Sequence, residues 1–141
     1  MSTPTVKAKL VMDVMLPLNK FPVILDSTLY KLALEEMGHF RLGIACLIDQ
    51  AGQLSGILTD GDIRRKLLKD QRLLSALFVD DAIEHAIKNP YTITSTDQLS
   101  FAVKIMGDYR IWDLPVVDND NRLVGLLHLH SAISNLLSDL T

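Results

Sequence analysis

Leu54-Ser55-Gly56-Ile57-Leu58 and Leu123-Val124-Gly125-Leu126-Leu127 are one strand written twice. Outward from them the duplication continues. Leu47-Ile48-Asp49 stands ahead of the first copy as Val116-Val117-Asp118 stands ahead of the second, and Met37-Gly38 with Arg41 downstream recurs as Met106-Gly107 with Arg110. Ser27-Thr28 recurs as Ser95-Thr96, with one inserted residue separating the two registers. A period this long marks two copies of one supersecondary unit, each needing its neighbour to bury its apolar face.

Each copy reads alike. Leu32, Ala33, Glu36 and Met37 follow Ser27 and Thr28 at helical spacing, as Ala102, Ile105 and Met106 follow Ser95 and Thr96, so the hydroxyls are expected to cap one helix per copy. Apolar runs Ile44 to Ile48 and Leu114 to Val117 close on Asp and a polar turn. Leu54 to Leu58 and Leu123 to Leu127 then follow at once, a hairpin pattern. A second helix begins near Asp62 with Ile63, Leu67 and Leu68, and near Ser131 with Ile133, Leu136, Leu137 and Leu140. Val11 to Met15 and Leu77 to Ile83 read as short helices leading into each copy. Pro22 and Pro90 set off brief strands at Val23 to Leu25 and Tyr91 to Ile93. The expectation is a mixed α/β (α+β) fold of two β-α-β-β-α repeats related by a pseudo-two-fold axis, spanning 10–72 and 73–140 and joined by the charged stretch Lys69 to Arg72.

Bulk properties narrow the function classes. With 141 residues and 48% hydrophobic content the chain can bury a real core. Its net charge of -3 and scattered Lys and Arg lack the basic stripe that nucleic-acid binding requires. The single cysteine, Cys46, allows no disulfide within one chain and reads as a buried small hydrophobe. The opening residues are polar, and no segment approaches the ~20 apolar residues of a membrane span, so a cytoplasmic protein without membrane contact is expected.

Gly56-Ile57-Leu58-Thr59-Asp60-Gly61-Asp62-Ile63, preceded by an apolar strand ending in Asp49 and echoed by Leu114-Pro115-Val116-Val117-Asp118, resembles the tandem cystathionine-β-synthase (CBS) domain pair over Val11 to Leu137. Thr59-Asp60-Gly61-Asp62-Ile63-Arg64-Arg65, together with Gly125-Leu126-Leu127-His128-Leu129-His130, is similar to the C-terminal regulatory pair of the arabinose 5-phosphate isomerase family. That family supplies the route to the sugar acid Kdo of bacterial lipopolysaccharide, and its catalytic sugar-isomerase domain precedes the pair and is not among these residues. The resemblance implies a regulatory ligand-binding module and no catalysis of its own. It points to a nucleotide-bearing ligand, CMP-Kdo before an adenine nucleotide, and to a homodimer.

The residues themselves suggest the chemistry. At the start of the helix after Thr59, unpaired backbone N–H groups attract a phosphate, Thr59 adds a donor, and Gly61 lets the ligand come close. Asp62 suits ribose hydroxyls, while Asp60 opposes phosphate and Arg64 and Arg65 offset it. The plain alternative is that the acids cap the helix and the arginines are solvated. In the second copy His128 replaces Thr59 and Ser131 replaces Asp62, so two identical sites are not expected. His128 and His130, two apart on a strand, share a face and are candidates for a phosphate or sugar carboxylate, more strongly when protonated. A metal site at that pair is not expected, because Cys46, His39 and His85 have no usable spacing to it. Trp112 is a candidate for stacking on a base. Pro22 and Val23 complete the candidate contacts. Arg41 and Arg110, at equivalent positions, read as a shared structural or interface feature at least as readily as a site. No nucleophile elbow or phosphate-binding glycine loop occurs, which leaves an adenine-nucleotide sensor and a ligand-free dimerisation module as the rival functions.

Overall fold

A computed structural model describes residues 8–138. Two three-stranded sheets form, one per repeat. In the first, β1 (Val23–Leu25) runs parallel to β2 (Ile44–Ile48), which pairs antiparallel with β3 (Leu54–Thr59). Helix α1 (Tyr30–Phe40) makes the crossover, and α2 (Asp60–Lys69) follows β3 directly. After the short α3 (Leu74–Leu77), the second repeat lays down β4 (Ile93–Thr94), α4 (Leu99–Tyr109), β5 (Asp113–Val117), β6 (Leu123–His128) and α5 (Leu129–Ser138) in the same order. The repeat pattern is therefore the one the sequence shows, with element ends shifted by one to three residues.

The recurring Asp at the end of each first hairpin strand has a local cause. Asp49 Oδ1 accepts from the amides of Ala51 and Gln53, and Asp118 Oδ1 from those of Asp120 and Arg122, all at 2.9 Å. Each turn then needs one left-handed residue, supplied by Gly52 (φ 82°) and by Asn121 (φ 62°). The two tips clasp each other. Leu54 N donates to Asn121 O at 2.9 Å and Leu123 N to Gly52 O at 3.0 Å, which places the pseudo-two-fold axis between the hairpins. Phe21, Ile44, Cys46, Leu54, Ile57, Val117, Leu123 and Leu126 fill the space between the repeats. Cys46 is buried as expected, and burial, with the negative charge of Asp113 second, pushes its thiol well above the usual range.

The leading segments depart from expectation. Val11–Asp13 and Ala82–His85 are single 3-10 turns rather than helices, with α3 ahead of the second. Their backbone donors are used elsewhere, each on the opposite repeat. Val11 N and Met12 N donate to Asp97 O and Ser95 O, and Ala82 N to Thr28 O. Leu16 exchanges both backbone hydrogen bonds with Leu126, at 2.7 and 3.1 Å, and Ile87 does so with Ile57, at 2.9 and 3.0 Å. Accordingly Val11 packs into the core of the second repeat, and Leu77 and Ala82 into that of the first. The two repeats are interlocked in space.

This exchange also explains why the hydroxyls do not cap. Leu29 and Gln98, not Ser27, Thr28, Ser95 or Thr96, hold the N-cap positions of α1 and α4, without a side-chain hydrogen bond. The first-turn amides find backbone carbonyls of the exchanged segments instead: Tyr30 N donates to Asp80 O, Lys31 N to Phe78 O and Leu99 N to Lys9 O. The Ser-Thr pairs sit one step early, in the turns after β1 and β4.

Around α1 an ion-pair clasp secures the exchanged segment. Arg72 reaches Asp70 at 3.0 Å and Asp80 at 2.9 Å, and Asp80 also meets His85 Nε2 at 2.8 Å. The buried His85 ring stacks on Tyr30, centroids 4.4 Å apart. Hydrogen bonds from Arg72 hold the Asp70 carboxyl down at about 2, and those from His85 and then Arg72 lower that of Asp80.

Two outcomes follow from this packing. A Cβ on Gly56 would lie 2.7 Å from the backbone oxygen of Ile87, which the exchanged strand cannot give up; Gly56→Ala is expected to cost about 2 kcal/mol, read as a lower urea midpoint at unchanged m-value. The second concerns pH. Carboxyls depressed in the folded state stabilise above their unfolded value of about 3.9 and lose that contribution as pH falls through the folded value. Arg72→Ala should therefore melt below the wild type at pH 7, with the gap closing as pH falls from 4 to 2.

Candidate functional site

Both strand-to-helix junctions open into one cleft of about 720 Å³ between the repeats. At the first, Thr59 is the N-cap of α2: its Oγ accepts from Asp62 N at 3.2 Å. The Thr59 hydroxyl donates in return to Asp62 Oδ2. Arg65 Nη2 donates to Asp62 Oδ1 at 2.6 Å, closing a Thr59–Asp62–Arg65 triad on the helix start. Asp60 turns back toward β2: its amide donates to Gly43 O at 3.0 Å, and its Oδ2 lies 2.8 Å from where a Gly43 Cβ would stand. A side chain at position 43 would displace that carboxylate.

The second junction carries different chemistry on the same backbone. Leu129 N donates to Trp112 O at 2.8 Å, the counterpart of the Asp60–Gly43 bond. His128 closes β6 directly opposite Asp113, which opens β5, and the imidazole Nδ1 meets Asp113 Oδ1 at 2.7 Å. A carboxylate only accepts, so Nδ1 carries the proton and Nε2 is the ring nitrogen left for other partners. The carboxylate has moved from the helix, where Asp62 stands in the first repeat, to the strand.

Between the junctions the lining is apolar and aromatic. Ile57 and Ile87, the residues of the strand exchange, form part of one wall. Tyr91 and Tyr109 stack on each other at 4.2 Å and 21° on the cleft, with Trp112 72% exposed beside them. Arg110 lines the same space. It is the left-handed C-cap of α4 (φ 56°), as Arg41 is of α1, each amide reaching back to the glycine three residues earlier. The shared structural role read from the repeat holds for the backbone. Among the described residues the Arg110 side chain has no hydrogen bond or ion pair, so its charge is available to the cleft.

Of the residues singled out from sequence, the cleft gathers Thr59, Asp60, Gly61, Asp62, Arg65, Trp112 and His128. Four lie outside its lining. Arg64 is exposed and is not part of that lining, and Pro22 is buried with its carbonyl accepting from Cys46 N at 2.9 Å. Val23 packs against the core between the repeats. His130 corrects the expected histidine pair: β6 ends at His128 and His130 lies exposed in the first turn of α5, so the two do not share a strand face. The phosphate expected at Thr59 also meets an obstacle, because that hydroxyl is engaged by Asp62 and two acids occupy the first turn of α2.

Asp113, Arg110, Tyr91 and Tyr109 were not anticipated as cleft residues. A signal existed for two of them: Tyr91 follows Pro90 as Val23 follows Pro22, and Asp113 falls opposite His128 once the hairpin register is set. Away from this lining, Asp80, Glu84 and His85 bring ligand atoms within 4.8 Å of one another, the geometry of a three-donor metal site. Arg72 already occupies Asp80 there, which makes the group an ion-pair clasp. No described helix is long and apolar enough to cross a membrane.

Comparison with known proteins agrees with this architecture. Residues 79–138 match the CBS domain family. The arabinose 5-phosphate isomerase KdsD of Pseudomonas aeruginosa is 37% identical over 123 residues, 86% of this chain and 36% of that protein. The chain spans about a third of the length of the curated relatives it matches. Among solved structures, CBSX2 of Arabidopsis thaliana in complex with AMP superposes with a TM-score of 0.79 at 24% identity, covering 94% of this chain and 98% of that one. A CBS domain pair in complex with 5′-methylthioadenosine and S-adenosyl-L-methionine superposes at 0.77 and 21% identity, covering 96% and 100%.

The preformed triad at the helix start has a measurable worth. Thr59→Val removes the cap and should cost about 1 kcal/mol in urea unfolding.

Proposed function

We propose that this chain, which has the fold of a CBS domain pair and matches the CBS domain family over residues 79–138, is a regulatory module whose cleft senses a nucleotide-containing metabolite, with CMP-Kdo as the leading ligand. The observation that carries this reading is the polarity of the cleft between the repeats. Its first-repeat end offers carboxylates and a hydroxyl, suited to sugar hydroxyls, while its second-repeat end offers Arg110 and His128, suited to anions. Exposed aromatic rings lie between them. A ligand joining a ribose, a base, a phosphate and a sugar carboxylate matches that sequence of groups. Similarity to an arabinose 5-phosphate isomerase supports the choice of a pathway product as the signal.

In this reading the ligand bridges the two repeats and shifts the population of conformations of a sugar-phosphate isomerase domain that the module serves. Exposed Leu68, Leu73 and Leu137 on and beside α2 and α5 support a homodimer as the working assembly. An adenine-nucleotide sensor is the second reading, favoured by the likeness to the AMP complex. A dimerisation module without small ligand is the third, favoured by the same exposed leucines.

Calorimetric titration with CMP-Kdo, CMP, AMP and ATP separates them. CMP-Kdo is expected to bind one per chain and tightest, to change the emission of Trp112, the only tryptophan, and to weaken at least about tenfold in Asp62→Ala. AMP or ATP binding more tightly than both cytidine ligands selects the adenine reading. Absence of saturable binding by all four ends the sensing proposal and leaves the dimerisation module.

A further inference from the structure

The two ends of the cleft have the same backbone and different electrostatics, and the difference lies in where the acid sits. In the first repeat Asp60 and Asp62 occupy the opening turn of α2, and Arg65, the basic group on that helix that lines the cleft, is already paired to Asp62. In the second repeat the opening turn of α5 holds no acid. The acid is Asp113 on the strand, its side chain only 10% exposed and turned onto His128 Nδ1. The His128 side chain is itself 35% exposed on the cleft, and Arg110, which lines the same cleft, has no partner among the described residues.

We propose that Arg110 and His128 form an anion subsite for the phosphate or carboxylate of the ligand, with Asp113 as the positioning residue, and that filling it draws one proton onto His128. This rests on the reading of the cleft as a nucleotide site, and it places the anion at the end opposite to the Thr59 helix start. Arg110 supplies a permanent charge and a planar fork of donors. With Nδ1–H held by Asp113, Nε2 carries a lone pair in the neutral ring and is a donor in the imidazolium, and only the imidazolium attracts an anion. Uptake of one proton from solvent converts Nε2 to a donor, and the Asp113 carboxylate compensates the resulting imidazolium. No covalent bond changes. The charged and titratable groups facing this end are Asp113 on β5, Arg110 and Tyr109 at the end of α4, Tyr91 ahead of β4, and Asp60, Asp62 and Arg65 on α2. Arg65 and Asp62 neutralise each other and Asp113 is compensated once His128 is protonated, which leaves Asp60 as the acid that a bound anion must avoid.

The test compares a nucleoside with its 5′-monophosphate: cytidine with CMP, and adenosine with AMP. Each is titrated calorimetrically at pH 7.5 in two buffers of different ionisation enthalpy, against the wild type, Arg110→Gln, His128→Gln and Asp113→Asn. The monophosphate of the preferred base should bind the wild type about tenfold or more tightly than the nucleoside, with net proton uptake. Arg110→Gln should remove most of that advantage. His128→Gln should abolish the proton uptake, and Asp113→Asn should reduce it. A cooperative urea transition and an unchanged far-UV circular dichroism spectrum show that each variant is folded, and the readout is the ratio of monophosphate to nucleoside affinity within each variant. Equal affinity for nucleoside and monophosphate in the wild type, or a phosphate advantage that survives Arg110→Gln and His128→Gln, overturns the subsite while leaving the nucleotide cleft standing. Binding of none of the four compounds overturns both.

Discussion

Two backbone contacts hold the architecture together: Leu16 against Leu126, and Ile87 against Ile57. In each, the segment leading into one repeat lies along the last strand of the other, close enough that only a glycine, Gly125 or Gly56, fits at the crossing. Main-chain polar groups buried between sheets must be paired. The exchange pairs them across the repeats, so neither repeat is a complete unit without the other's leading segment. Helices α1 and α4 depend on the same arrangement, since their first amides are satisfied by carbonyls of the exchanged segments instead of by caps.

The cleft inherits its position from this constraint. Ile57 and Ile87 belong both to the crossing and to the cleft wall, and the chain runs from Ile87 through Pro90 and Tyr91 along the lining. A ligand seated there touches the first repeat at the Thr59 junction, the second at the His128 junction, and the strap between them. Any change in the angle between the repeats therefore alters all three places at once.

Symmetry in the backbone and asymmetry in the side chains act together. The hairpins, the left-handed arginines at the ends of α1 and α4, and the amide bonds from Asp60 and Leu129 are the same in both halves. On that common frame Thr59 becomes His128, Gly43 becomes Trp112, and the helix acid Asp62 gives way to the strand acid Asp113 paired to His128. The two corners thus share one backbone, while their side chains put Asp60 and Asp62 at the first and Arg110 with the His128–Asp113 pair at the second.

The repeat, the hairpins with their Asp-closed turns, the burial of Cys46 and the junction Thr59 to Asp62 were all legible in the amino-acid sequence, because each arises from neighbours within a few residues or from periodic apolar positions. The strand exchange was not, because it joins backbone groups from distant stretches and leaves no side-chain pattern. Ser27 and Thr28 looked like caps for the same reason: only the packed chain brings the Asp80 and Phe78 carbonyls to α1. His130 parted from His128 where β6 gave way to α5, a boundary that periodicity over two residues cannot locate. Local pattern decided which elements exist and which residues stand at their junctions; tertiary structure alone decided which junction side chains face one another, since that depends on how two repeats cross and not on what either contains.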